Sequence, residues 1–236
     1  MVRIFDGAMG TELFARGFRG PTHEATKACP DVVAAIHEAY ARAGAEVIST
    51  NTFSLAFTPM EEGEKVALAK EAIALAKRTG RQIFLSLGPS MGERLSWVGE
   101  VVAGADGILL ETETNLADFE RDLDALSSLG VPLFGTMSID ESFSKEEVKA
   151  LARLGETYDL AGLGFNCSSG PWSMKEALAH LRQETRRFLI AKPNAMGGDF
   201  VEGALALVGL GVDGIGGCCG TTPRDIAELQ QGVKFL

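Results

Sequence analysis

Three cysteines in this 236-residue chain sit in turn-rich surroundings. Cys167 lies in Gly-Phe-Asn-Cys-Ser-Ser-Gly-Pro, and Cys218 and Cys219 lie in Gly-Gly-Cys-Cys-Gly-Thr-Thr-Pro. Thiolates are soft ligands, and three of them suit Zn²⁺, which prefers tetrahedral sulfur and nitrogen sites. Three protein ligands leave a fourth, exchangeable position, as in catalytic rather than structural zinc sites. The spacing is not that of a zinc finger, so the ligand reading requires a fold that brings residue 167 to residues 218 and 219. Two alternatives stand beside it: small cysteines that merely pack, and a strained vicinal disulfide between Cys218 and Cys219. Cys29 has no partner in sequence and reads as a bystander.

Two carboxylates follow apolar runs, Asp6 after Val-Arg-Ile-Phe and Glu111 after Gly-Ile-Leu-Leu. A carboxylate in such a place is desolvated unless paired. Either it binds a cationic group, such as a substrate ammonium, or it serves a backbone N–H or an arginine at a rim. Asn51, Asn166 and Asn194 are site lining or turn formers, the latter being the default for Asn beside Gly or Pro. His23, His37 and His180 show no ligand spacing, and Trp97 and Trp172 read as packing or as pocket walls. Zinc on three thiolates is a modest Lewis acid, poorly suited to making hydroxide and well suited to lowering the pKa of a further thiol. With a carboxylate nearby, the set describes a small amino thiol alkylated at sulfur. A zinc hydrolase fits poorly, because no His-rich ligand set or base is evident.

Such residues need a scaffold that gathers strand ends. Eight apolar runs read as strands: Val2–Phe5, Glu46–Thr50, Gln82–Leu87, Gly107–Leu110, Pro132–Met137, Leu160–Phe165, Phe188–Lys192 and Val212–Ile215. From the third they recur about every 25 to 29 residues, and several are apolar throughout, as in parallel strands covered on both faces. A helix is expected after each. Asp31–Ala43 and Glu64–Arg78 read as two of them, Asn115 and Asp118 start another, Ser144 and Glu147 form a capping box, and Thr222-Pro223 opens the last. Eight βα units in one domain, residues 1–236, predict a compact (β/α)₈ TIM barrel, whose working residues lie at the C-terminal ends of the strands. A doubly wound sheet is the rival, but no Gly-x-Gly-x-x-Gly turn follows the first strand. In the barrel, Cys167 ends strand six and Cys218–Cys219 follow strand eight, its second neighbour.

Composition agrees with a folded, globular protein. Lys plus Arg is 22 against 32 for Asp plus Glu, a net charge of −10, which argues against nucleic acid or an anionic membrane as partner. The N-terminus lacks a signal-peptide pattern and no run is long enough to span a bilayer, so a cytoplasmic location with reduced thiols is expected. The 28 glycines imply many tight turns or close backbone approaches.

Taken in order, DGAMGTE, HEAYARAGAEVISTNTFS, LSLGPS, LLETETN, GFNCSSGP, AKPNA and GGCCGTTP resemble the homocysteine S-methyltransferase family, from Asp6 to Pro223. The resemblance implies a TIM barrel that binds one Zn²⁺ through Cys167, Cys218 and Cys219. It implies homocysteine and a methyl donor as substrates, with methionine as product. The homocysteine ammonium would lie near Asp6 and Glu111, with Asn51 and Asn166 lining the site and Asn194 near the metal as a displaceable ligand. At Gly7, the missing side chain would let backbone amides reach the substrate carboxylate. The alternative is a homocysteine-binding module that needs a separate corrinoid or folate methyl-carrier protein. Family domains are longer, and the missing length falls in loops after strands two, three and seven. Where the family commonly has Asp after its Glu-Thr pair, this chain has Asn115.

Overall fold

Eight parallel strands form one sheet that curls into a barrel. They are β1 (Arg3–Ile4), β2 (Val47–Ser49), β3 (Gln82–Leu87), β4 (Gly107–Glu113), β5 (Leu133–Met137), β6 (Gly162–Cys167), β7 (Phe188–Pro193) and β8 (Gly214–Ile215). This computed structural model describes residues 2–139 and 143–236. The order is β1-β8-β7-β6-β5-β4-β3-β2, every listed neighbour pair being parallel. Closure comes from a bridge between Phe5 and Val47, with Asp6 N donating to Val47 O at 3.1 Å and Glu46 N to Ile4 O at 2.8 Å.

Around the barrel lie α1 (Met9–Ala15), α2 (Ala25–Ala28), α3 (Pro30–Arg42), α4 (Glu62–Lys77), α5 (Leu116–Leu126), α6 (Lys145–Thr157), α7 (Pro171–Glu184), α8 (Phe200–Val208) and α9 (Pro223–Val233). The start signals behave as their chemistry requires. The Asn115 side chain accepts from Asp118 N, and Ser144 and Thr222 each close a capping box. Asn caps as well as Asp does, so the Asn115 departure costs the helix nothing.

One expected helix is missing. Between β3 and β4 the described chain makes two 3₁₀ turns, Ser96–Glu100 and Val102–Gly104. Gly88, Pro89, Gly92, Gly99 and Gly104 interrupt this stretch, and glycine and proline each oppose an α-helix. Trp97, Val98, Val101 and Val102 are buried there and cover the sheet instead, which makes Trp97 a packing residue. Strand ends also moved. The fourth, sixth and seventh strands run past Leu110, Phe165 and Lys192, carrying Glu111, Cys167 and Pro193 into the sheet, while the first, second and eighth are shorter than their apolar runs.

The barrel interior is layered by the two-residue period of its strands. Phe5, Val47, Phe84, Leu109, Phe134 and Ile190 form one apolar cluster, with the Phe84 and Phe134 rings 4.9 Å apart. Two residues further along the strands stand Ser49, Ser86, Glu111, Thr136 and Lys192, a buried polar storey above an aromatic floor. Glycines admit the large floor residues. At Gly164 an added Cβ would lie 1.9 Å from Ile190 O, inside the β6–β7 ladder. Gly164→Ala is therefore expected to lower unfolding free energy by about 3 kcal/mol, as overpacking against rigid backbone does. Urea denaturation checks this, and an unchanged midpoint contradicts it.

Candidate metal centre and its charged floor

Cys167 closes β6, and Cys218 and Cys219 follow β8. Their three sulfurs all lie within 4.8 Å of one another, and Cys167 Sγ is 4.0 Å from Cys219 Sγ. With zinc–sulfur bonds of about 2.3 Å, a tetrahedral ion needs sulfurs about 3.8 Å apart. The donor set and its spacing therefore fit a tetrahedral thiophilic ion with one position left over. Donation from Cys167 and Cys218 holds the Cys219 thiol well below the usual range, and donation to Cys218 and then to Cys219 pushes Cys167 up.

The backbone is bent to achieve this. Cys167 and Ser168 both take left-handed conformations, φ 58° and 57°. Non-glycine residues adopt this at a cost, met only where neighbours impose it. Here Asn194 N donates to Cys167 O at 3.1 Å, the Asn194 side-chain amide donates to Ser168 O, and Ser168 Oγ accepts from Ile139 N at 3.0 Å. Asn194 Oδ1 also accepts from Met196 N at 3.2 Å. In this structure Asn194 is a clamp on the Cys167 turn.

Asn166 is fully buried and bonded on both sides. Its Oδ1 accepts from Thr112 N at 2.8 Å and Thr136 Oγ1 at 2.9 Å. Its Nδ2 donates to Thr112 Oγ1 at 2.8 Å and points to Cys218 Sγ at 3.9 Å. Asn51 is tied elsewhere, its Nδ2 donating to Thr22 O at 2.7 Å and Thr26 Oγ1 at 3.1 Å. Gly7 has a steric reason: an added Cβ would lie 2.5 Å from Thr221 Oγ1 and 2.8 Å from the Tyr40 ring and hydroxyl.

Between Asp6 and Glu111 stands Lys192, a residue the sequence reading passed over. Its ammonium is 3.2 Å from Asp6 Oδ1, 3.2 Å from Ser49 Oγ and 3.9 Å from Glu111 Oε2. Asp6 also accepts from Ser49 N at 2.7 Å and Ser49 Oγ at 2.9 Å, and Glu111 from Ser86 Oγ at 2.5 Å. Burial alone would lower the Lys192 pKa, but Asp6 and Glu111 outweigh it and raise it, so Lys192 is a cation. Burial pushes the Glu111 carboxyl up, and Lys192 pulls it partly back. The Cys218 charge raises Glu111 and the Glu111 charge raises Cys219, which joins the acidic floor to the thiols. The alternation Val47/Ser49, Phe84/Ser86, Leu109/Glu111, Ile190/Lys192 was the signal that could have found this set.

A family model described as homocysteine S-methyltransferase matches residues 3–233. The chain belongs to the homocysteine S-methyltransferase family. It is 28% identical over 297 aligned positions to methionine synthase of Mycobacterium tuberculosis, an alignment covering 100% of this chain and 25% of that protein. Methionine synthase of Mycobacterium leprae is likewise 28% identical, over 98% of this chain and 24% of its own length. The chain thus spans about a quarter of the curated relatives it matches. Among solved structures, the apo form of the homocysteine methyltransferase MmuM from Escherichia coli superposes with a TM-score of 0.82 at 26% identity, covering 98% of this chain and 95% of that one. Its metallated form gives 0.84 at 23% identity, covering 98% and 96%.

Other polar residues of this family member lie outside the thiol cluster. His37 is fully buried and pushed down to about 4 by burial, so it is neutral packing, while His180 faces Glu176 at 3.5 Å. Trp172 is partly exposed and lines a cavity of about 500 Å³ with Ile139, Lys145 and Glu176. No helix among the described residues is long and apolar enough to cross a membrane.

Glu113 is a second buried acid on β4, after Glu111. Thr112 also has a left-handed φ of 69° and sits in a register shift of the β4–β5 ladder. The twist sends Glu111 to Ser86 and Lys192 inside the barrel, and Glu113 to Asp122 on α5. Among the described residues no donor serves either Glu113 oxygen, whereas Asp122 accepts from Ser90 N at 2.6 Å and Ser90 Oγ at 2.5 Å. Burial first, then the Asp122 charge, push Glu113 from 4.5 up to about 8. A protonated Glu113 can donate to Asp122, and an ionised one is repelled. Between pH 4.5 and about 8 the folded state holds one proton more than the unfolded chain, so this contribution to stability falls as pH rises. Glu113→Gln is expected to flatten the decline in melting temperature between pH 6 and pH 9. A variant whose decline matches the parent contradicts the assignment.

Proposed function

We propose that this chain transfers a methyl group to the sulfur of homocysteine, giving methionine, at a Zn²⁺ ion held by Cys167, Cys218 and Cys219. The observation that carries this reading is the meeting of three sulfurs from two strand ends within 4.8 Å. When bound, zinc supplies a Lewis acid that lowers the acceptor thiol's pKa and keeps it a nucleophile at neutral pH. The left-handed turn at Cys167 aims one ligand, and Asn166 fixes Cys218 against β4. Glu111, at the thiol side of the charged floor, orients the acceptor's ammonium. The acceptor sulfur forms a bond to the methyl carbon as the donor's bond to that carbon breaks, the donor leaving with the electron pair. A donor with methyl on S⁺ or N⁺ departs as a neutral sulfide or amine.

The relatives from Mycobacterium favour a second reading, since they are about four times as long as the shared region. In it, this barrel binds and activates the thiol while a corrinoid or folate protein brings the methyl group. The experiment that separates the two is methyl transfer to homocysteine by zinc-loaded protein alone with S-methylmethionine. Turnover supports the self-sufficient enzyme, and silence with free donors but turnover with a methylated corrinoid protein supports the module. In either reading Cys218→Ala loses stoichiometric zinc and at least about 1,000-fold in turnover, measured by metal analysis and methionine formation. A full equivalent of zinc retained by that variant contradicts the ligand assignment.

A further inference from the structure

The cation between Asp6 and Glu111 belongs to the protein. Lys192 and Asp6 are almost completely buried, at 3% exposure each, so neither exchanges freely with water. Asp6 is used up. One oxygen accepts from Ser49 N, and the other from Ser49 Oγ and the Lys192 ammonium. The ammonium has three hydrogens, and Asp6, Ser49 Oγ and Glu111 stand around it at 3.2, 3.2 and 3.9 Å.

Glu111 is placed differently. Its Oε1 takes the Ser86 hydroxyl, and its Oε2 has the Lys192 ammonium at 3.9 Å, beyond hydrogen-bond length. Two acidic side chains face one resident cation: the ammonium bonds Asp6, and Glu111 keeps Oε2 without a hydrogen bond, on the side whose charge Cys219 feels. Two open carboxylates would give an incoming ammonium two charge-assisted hydrogen bonds. This floor offers one.

We propose that Lys192 is a specificity-determining residue: it takes the place on Asp6 that an acceptor's ammonium would otherwise occupy, leaving the amine to Glu111 alone. This rests on the reading of the thiol cluster as a methyl-acceptor site. The acceptor class is then a small thiol whose α-ammonium contributes little to selection. Asp6 acts through Lys192 as a positioning residue.

The test compares homocysteine with 4-mercaptobutanoate, which keeps the thiol, the chain and the carboxylate and lacks the amine. Affinity is read by calorimetry on zinc-loaded protein, and kcat/KM by methyl transfer. The parent protein is expected to prefer homocysteine by about tenfold or less, as one charge-assisted bond gives. Lys192→Met opens the place on Asp6 and raises the preference to about a hundredfold, and homocysteine raises that variant's melting temperature more than 4-mercaptobutanoate does. Adding Asp6→Asn to Lys192→Met brings the preference back to the parent's. An unchanged or lower preference in Lys192→Met overturns the proposal. Should that variant not fold, Asp6→Asn and Glu111→Gln decide in the parent background. The proposal predicts a ratio unchanged within about threefold for the first and a ratio near one for the second, and an equal loss in both overturns it. Parent protein that binds and methylates no thiol refutes the acceptor reading itself, whereas transfer with a strong parent preference for homocysteine refutes the role of Lys192 alone.

Discussion

The site depends on one geometric constraint: a sulfur at the end of β6 must meet two sulfurs beyond β8, with β7 between them. A regular strand end at residue 167 would continue along the barrel wall. The left-handed pair Cys167–Ser168 turns the chain there, at a cost of about 1–3 kcal/mol for each such residue. Hydrogen bonds from the next strand hold the turn. Asn194, just past β7, grips both Cys167 O and Ser168 O, so the strand that separates the ligands also joins them. The positions past β8 are fixed in the same way, with Cys218 N bonded to Pro193 O at 2.9 Å and Ala195 N to Cys219 O at 2.9 Å.

Beneath the sulfurs, the barrel arranges its dielectric. The aromatic floor excludes water, and the polar storey above it holds two carboxylates and a lysine within a few ångströms. Each charge would be costly alone in such a place, and together they are tolerable because Ser49, Ser86 and the Asp6–Lys192 ion pair satisfy them. The Glu111 carboxyl, held up by burial, lies toward the thiols.

Much of this is legible in the sequence. The cysteine contexts, the apolar runs and the capping residues Asn115, Ser144 and Thr222 each announce a local structure, because a strand end, a buried strand and a helix start need those residue types. What stayed hidden depends on partners distant in sequence. Lys192 reads as the polar end of an apolar strand, and only the β1 and β4 carboxylates make it a buried cation. Glu113 reads like Glu111, two residues away, until the backbone reversal at Thr112 sends it to the other side of the wall. The missing helix after β3 was a matter of weight: five glycines and prolines outweigh the apolar residues between them. At Gly7 the need for glycine is steric as well, its nearest neighbours being Thr221 and Tyr40.

The central claim is that Cys167, Cys218 and Cys219 hold one zinc ion whose remaining position receives the acceptor's sulfur. X-ray absorption at the zinc edge tests it most directly, on protein loaded with one equivalent of zinc, before and after homocysteine. The account predicts three sulfurs and one lighter atom in the free protein and four sulfurs with homocysteine bound. Fewer than three sulfurs at the start, or a first shell that homocysteine leaves unchanged, would contradict it.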